Sequence, residues 1–182
     1  MRIIGGTHRG RKLTTLPDKN IRPTTDRMRE TIFNILTHTS SGLEGTRILD
    51  VFAGTGAMGL EALSRGAAHC TFFDNDRKAL QLVKKNSNLM GNLDKITIRN
   101  VSAPRFLPQK IAYDVIFLDP PYELDIIPDT INALRDKAYL ADHTILIAEY
   151  AAENNIRFPD FLNVMKESTY GDAHFSILQM AI

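Results

Sequence analysis

"TRILDVFAGTGAMGLEALSRG", residues 46–66, holds the reading that decides the fold. Thr46 to Phe52 is an apolar run of strand length, and the stretch from Ala57 takes on helical composition and stops at Gly66. Between them Gly54, Gly56 and Gly59 form a G-x-G-x-x-G, a spacing that allows a tight turn and close approach by a ligand. Downstream the alternation repeats. "AHCTFFD" (68–74) reads as a strand and "DRKALQLVKKNSNLMG" (76–91) as a helix ended by Gly91. "KITIRNV" (95–101) and "YDVIFLD" (113–119) are strands, a helix runs from about Ile126 to Lys137, and "HTILIAEY" (143–150) is a further strand. Strands alternating with helices imply an α/β fold with a mostly parallel sheet covered on both faces. The tail, 163–182, reads as two strands joined at Gly171 and Asp172, a hairpin at one sheet edge.

Upstream, "RIIGGTHRGRKLTTLP" (2–17) suggests two short strands around a Gly- and Arg-rich turn. "RPTTDRMRETIFNIL" (22–36) has helical period, with Met28, Ile32, Ile35 and Leu36 on one face and Thr24 or Thr25 as the cap. "SSGLEG" (40–45) is a linker. The chain has 182 residues, enough for one sizeable core. Its one cysteine, Cys70, excludes an internal disulfide and a Cys-rich metal site, and the five histidines lack metal-ligand spacing. With no membrane-length apolar run and no signal-peptide core, a cytoplasmic protein is expected. Residues 1–31 carry eight Lys or Arg against three acids, a local charge of +5 in a chain whose net charge is +1. A basic arm on an acidic body suits an anionic partner, nucleic acid foremost.

Ligands of such sheets bind beyond the carboxyl ends of the strands. Asp50 closes the first of these, four residues before Gly54. A carboxylate there repels a pyrophosphate and attracts a cationic cofactor. S-adenosylmethionine, with a sulfonium, an ammonium and no phosphate, therefore fits better than NAD. The bland alternative is that Asp50 only caps the turn. Asp74, 20 residues after Gly54, is placed to accept ribose hydroxyls of an adenosine, whereas one of Asp74 and Asp76 is expected to cap the next helix. The strand at 113–119 ends "DPPY". Pro120 and Pro121 fix two φ angles and remove two N–H donors, leaving carbonyls and the Asp119 carboxylate as an acceptor-only edge. Such an edge suits an exocyclic amine on a base, and Tyr122 offers a face for stacking.

"VFAGTG" with "LDPPY" resembles the amino-methylating class I S-adenosylmethionine-dependent methyltransferases. "MRIIGGTHRGRKL", "RPTTDRMRETIFNIL", "ILDVFAGTGAMGLEALSRGA", "DVIFLDPPY" and "YGDAHFSIL" together resemble the bacterial RsmD family, whose members methylate the N2 amine of a guanine in small-subunit ribosomal RNA. The resemblance implies a Rossmann-like seven-stranded, mostly parallel sheet with an antiparallel C-terminal strand. It further implies a small N-terminal β-hairpin, dividing the chain at 1–22 and 23–182. Asp50, Gly54 and Gly56 would face the methionine part of S-adenosylmethionine and Asp74 its ribose, with Phe52 and Asn75 also at the cofactor. Ser102 and Ala103 would sit at the adenine, and Thr24 and Arg27 near the cofactor. Asp119, Pro120, Pro121 and Tyr122 would hold the guanine, while Arg9, Arg11, Lys12 and Arg22 would grip RNA, free or in a ribosomal particle. A monomer without a metal is expected. This chain departs from the family in having Asp74 for a common Glu, shorter but chemically equivalent, and Ser102 for a common Asp, which removes a charged acceptor at the adenine and weakens the expected hold on the cofactor. The alternatives are an NAD-dependent oxidoreductase, a non-catalytic assembly factor that keeps the cofactor pocket, and an amino-methyltransferase acting on DNA, another RNA or protein.

Overall fold

The computed structural model describes residues 1–15, 26–39, 42–121 and 125–181. Seven strands form one sheet: β1 (Arg47–Asp50), β2 (His69–Asp74), β3 (Ile96–Asn100), β4 (Val115–Leu118), β5 (Ile145–Ala151), β6 (Leu162–Tyr170) and β7 (Ala173–Met180). Their spatial order is β3-β2-β1-β4-β5-β7-β6. β1 to β5 are mutually parallel, and β7 runs antiparallel to both β5 and β6. The strand order reverses at β1, the switch point where α/β sheets open a crevice at their carboxyl ends. The strands expected from Thr46 onward, the C-terminal hairpin and its Gly171 turn are present.

Helices α1 (Asp26–Thr37), α2 (Ala57–Ser64), α3 (Arg77–Leu89) and α4 (Ile127–Asp136) cover the sheet. The alternation of each strand separates two cores. On one face Ile48, Cys70, Phe72, Val115, Phe117 and Ile147 pack against α1, α2 and Val83 of α3. On the other, Leu49, Phe73, Ile116, Leu118 and Leu146 pack against Ile127, Ile131 and Leu134 of α4. In α1 the buried stripe is Met28, Ile32, Phe33 and Leu36, with Ile35 only half-buried. Phe33 takes the inner place because its ring meets that of Phe117 on β4 at 5.6 Å. The expected caps Thr24 and Thr25 lie outside the described residues.

The N-terminal segment pairs hairpin-fashion but with a shorter ladder than two strands. Arg2 and Lys12 form a single antiparallel bridge, and Gly6–His8 make one 3₁₀ turn. Ile3 and Leu13 are buried in the same core as α1 and α2.

Candidate active site

The sheet ladder continues past β1, which fixes how its tip meets its neighbours. The Val51 amide donates to the Phe117 carbonyl of β4 at 3.1 Å, and the Ala53 amide to the Phe73 carbonyl of β2 at 2.9 Å. The chain then turns through Gly54 (φ +52°) and Gly56 (φ +78°), the latter serving as N-cap of α2. Both sit in the left-handed region that disfavours a side chain. The third glycine acts differently. A Cβ on Gly59 would collide with Cys70 Sγ and the Phe72 ring, so Gly59 lets α2 lie directly on β2. A Cβ on Gly54 would meet nothing closer than the Phe52 carbonyl oxygen at 4.0 Å, so the surface above that glycine is open to a ligand.

Asp50 lies beneath this turn, 3% exposed, and its Oδ2 accepts the Gly59 amide at 3.1 Å. It therefore does cap the first turn of α2. Burial pushes its carboxyl up to about 7; the Gly59 hydrogen bond opposes the rise and the charge of Asp74 adds to it. Cys70 is fully buried, and burial, then the charge of Asp50, push its thiol well above the ordinary range. Asp74 closes β2 half-buried. Its Oδ2 accepts the Gly54 amide at 2.9 Å and its Oδ1 the Asp76 amide at 2.8 Å. Asp76 supplies the helix cap, accepting the Lys78 amide at 2.8 Å. Asn100 Nδ2 holds the loop beside it, donating to the carbonyls of Asp74 and Asn75 at 3.1 and 3.0 Å.

The other predicted residues distribute around this rim. Phe52 is half-buried, Asn75 and Ser102 are exposed, and Ala103 is half-buried after β3. Asp119 follows β4 half-buried, Pro120 is buried and Pro121 exposed. Tyr122, Thr24 and Arg22 lie outside the described residues. Arg27 is exposed on the first turn of α1. One turn further along α1, Thr31 Oγ1 and the Tyr170 hydroxyl, at the end of β6, are 2.8 Å apart. Since Asp50 pairs with Phe72 on β2 and Phe117 on β4, Asp74 and Asp119 each lie two residues beyond a partner of Asp50. Three carboxylate residues thus stand at the ends of three adjacent strands.

Two side chains that the sequence reading passed over hold the N-terminal segment to this centre. Glu61 of α2, fully buried, accepts the amides of Ile4 and Gly5 at 2.7 Å each and pairs with Arg65 at 2.8 Å. Asn86 of α3, also fully buried, accepts the Thr14 amide at 2.8 Å. Its Nδ2 donates to the carbonyls of Thr14 at 3.0 Å and of Thr55, inside the glycine turn, at 2.9 Å. A polar residue on a buried helical stripe was the available signal: Ala79, Val83 and Asn86 follow helical spacing. Arg9, Arg11 and Lys12 are exposed and line, with His8 and Leu89, a depression of about 560 Å³. A depression of about 720 Å³ between α1 and the starts of β5 and the hairpin, lined by His38, His143, Ile145 and Met165, lies at the opposite rim and contains none of the predicted site residues.

Comparison with known proteins decides the family. The family described as Conserved hypothetical protein 95 matches residues 1–179. Ribosomal RNA small subunit methyltransferase D of Escherichia coli K12 is 38% identical over 182 residues, covering 98% of this chain and 89% of the relative. The chain belongs to the RsmD family. The methyltransferase of the same name from Haemophilus influenzae is 34% identical over 183 residues, covering 98% and 93%. The solved structure of the Escherichia coli methyltransferase candidate yhhF superposes with a TM-score of 0.87 at 38% identity, covering 99% of this chain and 97% of that one. In this RsmD family member the fold is that of the class I methyltransferases, and the glycine turn and Asp-Pro-Pro edge stand at neighbouring strand tips, β1 and β4. No helix among the described residues is long and apolar enough to cross a membrane, and no group of three or more potential metal ligands occurs among them.

The donor set at the tips fits S-adenosylmethionine. Each Asp74 oxygen holds one backbone amide, and a carboxylate offers about four acceptor positions, so two remain for ribose hydroxyls. Asp50 supplies a carboxylate below the open surface of Gly54, where a phosphate would be repelled and an ammonium attracted.

Proposed function

We propose that this chain transfers a methyl group from S-adenosylmethionine to the exocyclic N2 amine of a guanine in small-subunit ribosomal RNA, as a cytoplasmic monomer. The observation that carries the reading is the acceptor edge Asp119-Pro120-Pro121, one strand from the Asp50 turn, in a chain whose relatives are named as small-subunit ribosomal RNA methyltransferases.

When bound, S-adenosylmethionine supplies a methyl group made electrophilic by its sulfonium. The protein's own work is to hold and to orient. Asp50 holds the cofactor's ammonium, Asp74 and Asn75 its ribose, and Ser102 and Ala103 border the adenine. The lone pair of a guanine amine is delocalised into the ring, which makes it a poor nucleophile. Asp119 and the Pro120 carbonyl accept its two N–H bonds, draw the nitrogen toward tetrahedral geometry and release the lone pair. The proton leaves late, to Asp119 or water. The two prolines keep the edge rigid where position sets rate. Tyr122 stacks on the base. Arg9, Arg11, Lys12 and Arg22 contact phosphates, which sets position and affinity rather than sequence choice.

The test is to map labelled methyl groups after incubation with naked small-subunit RNA and with small-subunit particles. The reading expects N2-methylguanosine at one position in one of the two. Label on adenine, on DNA or on protein, or no transfer at all, defeats it.

A further inference from the structure

Guanine offers three donors in a row: N1–H and the two hydrogens of N2. The roles given to Asp119 and Pro120 satisfy only the amine. A buried N1–H without an acceptor is costly, and an Asp-Pro-Pro edge alone does not tell guanine from another base that carries an amine.

Glu149 lies near the end of β5, the strand next to β4. Leu118 of β4 pairs with Ala148 of β5, so the next positions in this parallel register are Asp119 and Glu149. Val115 and Phe117 of β4 and Ile147 of β5 pack in the core beneath α1 and α2. Alternation therefore puts Asp119 and Glu149 on that same face, which Asp50 shares two residues after Ile48. Adjacent strands lie about 4.8 Å apart, so the two carboxylates can address neighbouring donors of one ring. Glu149 is 5% exposed, and a carboxylate so buried is tolerated where it accepts hydrogen bonds. It already interacts within the fold, and a carboxylate presents about four acceptor positions in all.

We propose that Glu149 accepts the N1–H of the target guanine and so sets the choice of base, an inference that rests on the guanine methyltransferase reading above. Adenine and cytosine carry their amines beside a ring nitrogen that has a lone pair and no hydrogen. Facing Glu149, that lone pair meets a carboxylate and is rejected. Asp119 and the prolines thus recognise an amine, and Glu149 recognises which ring bears it.

The experiment compares two RNAs, one with guanine at the mapped position and one with 2-aminopurine, which keeps the C2 amine but has no hydrogen on N1. The unaltered chain favours guanine by about 10²-fold or more. Glu149→Gln replaces an acceptor-only group by one that can donate to the bare N1. Its rate on guanine falls, its rate on 2-aminopurine holds or rises, and the preference collapses or inverts, with S-adenosylhomocysteine affinity unchanged. Equal losses on both RNAs, or an unchanged preference, overturn the assignment. If Glu149→Gln does not fold, Glu149→Asp replaces it: the retracted carboxylate narrows the preference, and an intact preference counts against the proposal. Should the unaltered chain modify neither RNA, the methyltransferase reading itself fails and the inference falls with it, an outcome distinct from a preserved ratio.

Discussion

Asp50→Asn should spare the cofactor-free protein a loss of stability as pH rises while it cripples cofactor binding. Asp50 is 3% exposed, and burial lifts its carboxyl from 3.8 to about 7. The folded chain therefore holds a proton there that the unfolded chain has lost. Unfolding releases it, so native stability falls as pH climbs from 3.8 to about 7, and levels off above. The two pH units between 5 and 7, at about 1.4 kcal/mol each, correspond to about 3 kcal/mol. Asparagine cannot ionise and keeps an oxygen for the Gly59 amide, so it escapes that loss. Any constant cost of its extra N–H group cancels between two pH values. Urea denaturation of both proteins at pH 5 and pH 8 reads the difference: the gain of Asp50→Asn over the unaltered chain should be larger at pH 8 by about 3 kcal/mol. Cofactor binding should show the complement. In the unaltered chain S-adenosylhomocysteine affinity drops up to tenfold per pH unit below 7, as binding of its ammonium has to expel the Asp50 proton. In Asp50→Asn that slope vanishes and affinity at pH 8 is about 10²-fold weaker, from losing a close ion pair. A variant destabilised equally at both pH values, with an unaltered binding slope, would refute the reasoning.

Four further outcomes are expected. Asp119→Ala should lower methyl transfer by about 10²–10³-fold, with S-adenosylhomocysteine titration giving an affinity within a few-fold of the original. The two glycines should separate: Gly59→Ala, which collides with Cys70 and Phe72, should cost about 1–3 kcal/mol in denaturation, while Gly54→Ala should cost about 1–2 kcal/mol of backbone strain and act mainly on cofactor affinity. Asn86→Asp places an oxygen against the carbonyls of Thr14 and Thr55, and should cost about 2–4 kcal/mol in thermal or urea unfolding. Replacing Arg9, Arg11 and Lys12 by alanine should weaken RNA binding at low salt and flatten its salt dependence, with a slope smaller by about 0.7 for each phosphate contact removed.

The parallel strands were legible because buried strands of an α/β sheet read as apolar runs, as in Val115 to Leu118. The glycine turn was legible because positive φ at Gly54 and Gly56 is a requirement few residues meet. Local periodicity failed where the partner decides. Ile35 and Phe33 are equally apolar, and only the Phe117 ring on a distant strand brings Phe33 inward. The attachment of the N-terminal segment was illegible for the same reason. The residues that clamp it, Glu61 and Asn86, lie 57 and 72 positions from Ile4 and Thr14, and their hydrogen bonds go to backbone amides and carbonyls that every residue possesses. Likewise, an acid after a strand reads as a ribose acceptor or a helix cap, but the division of labour between Asp74, which ties down the Gly54 turn, and Asp76, which caps α3, is a matter of geometry.

The arrangement of the strand tips is tested most directly by a crystal structure with S-adenosylhomocysteine. The ligand's ammonium should lie within ion-pair distance of Asp50, its ribose hydroxyls on Asp74, and its sulfur toward the Asp119-Pro120 edge with room for one purine between. A ligand bound away from the Gly54 turn, or a sulfur facing away from that edge, would contradict the account.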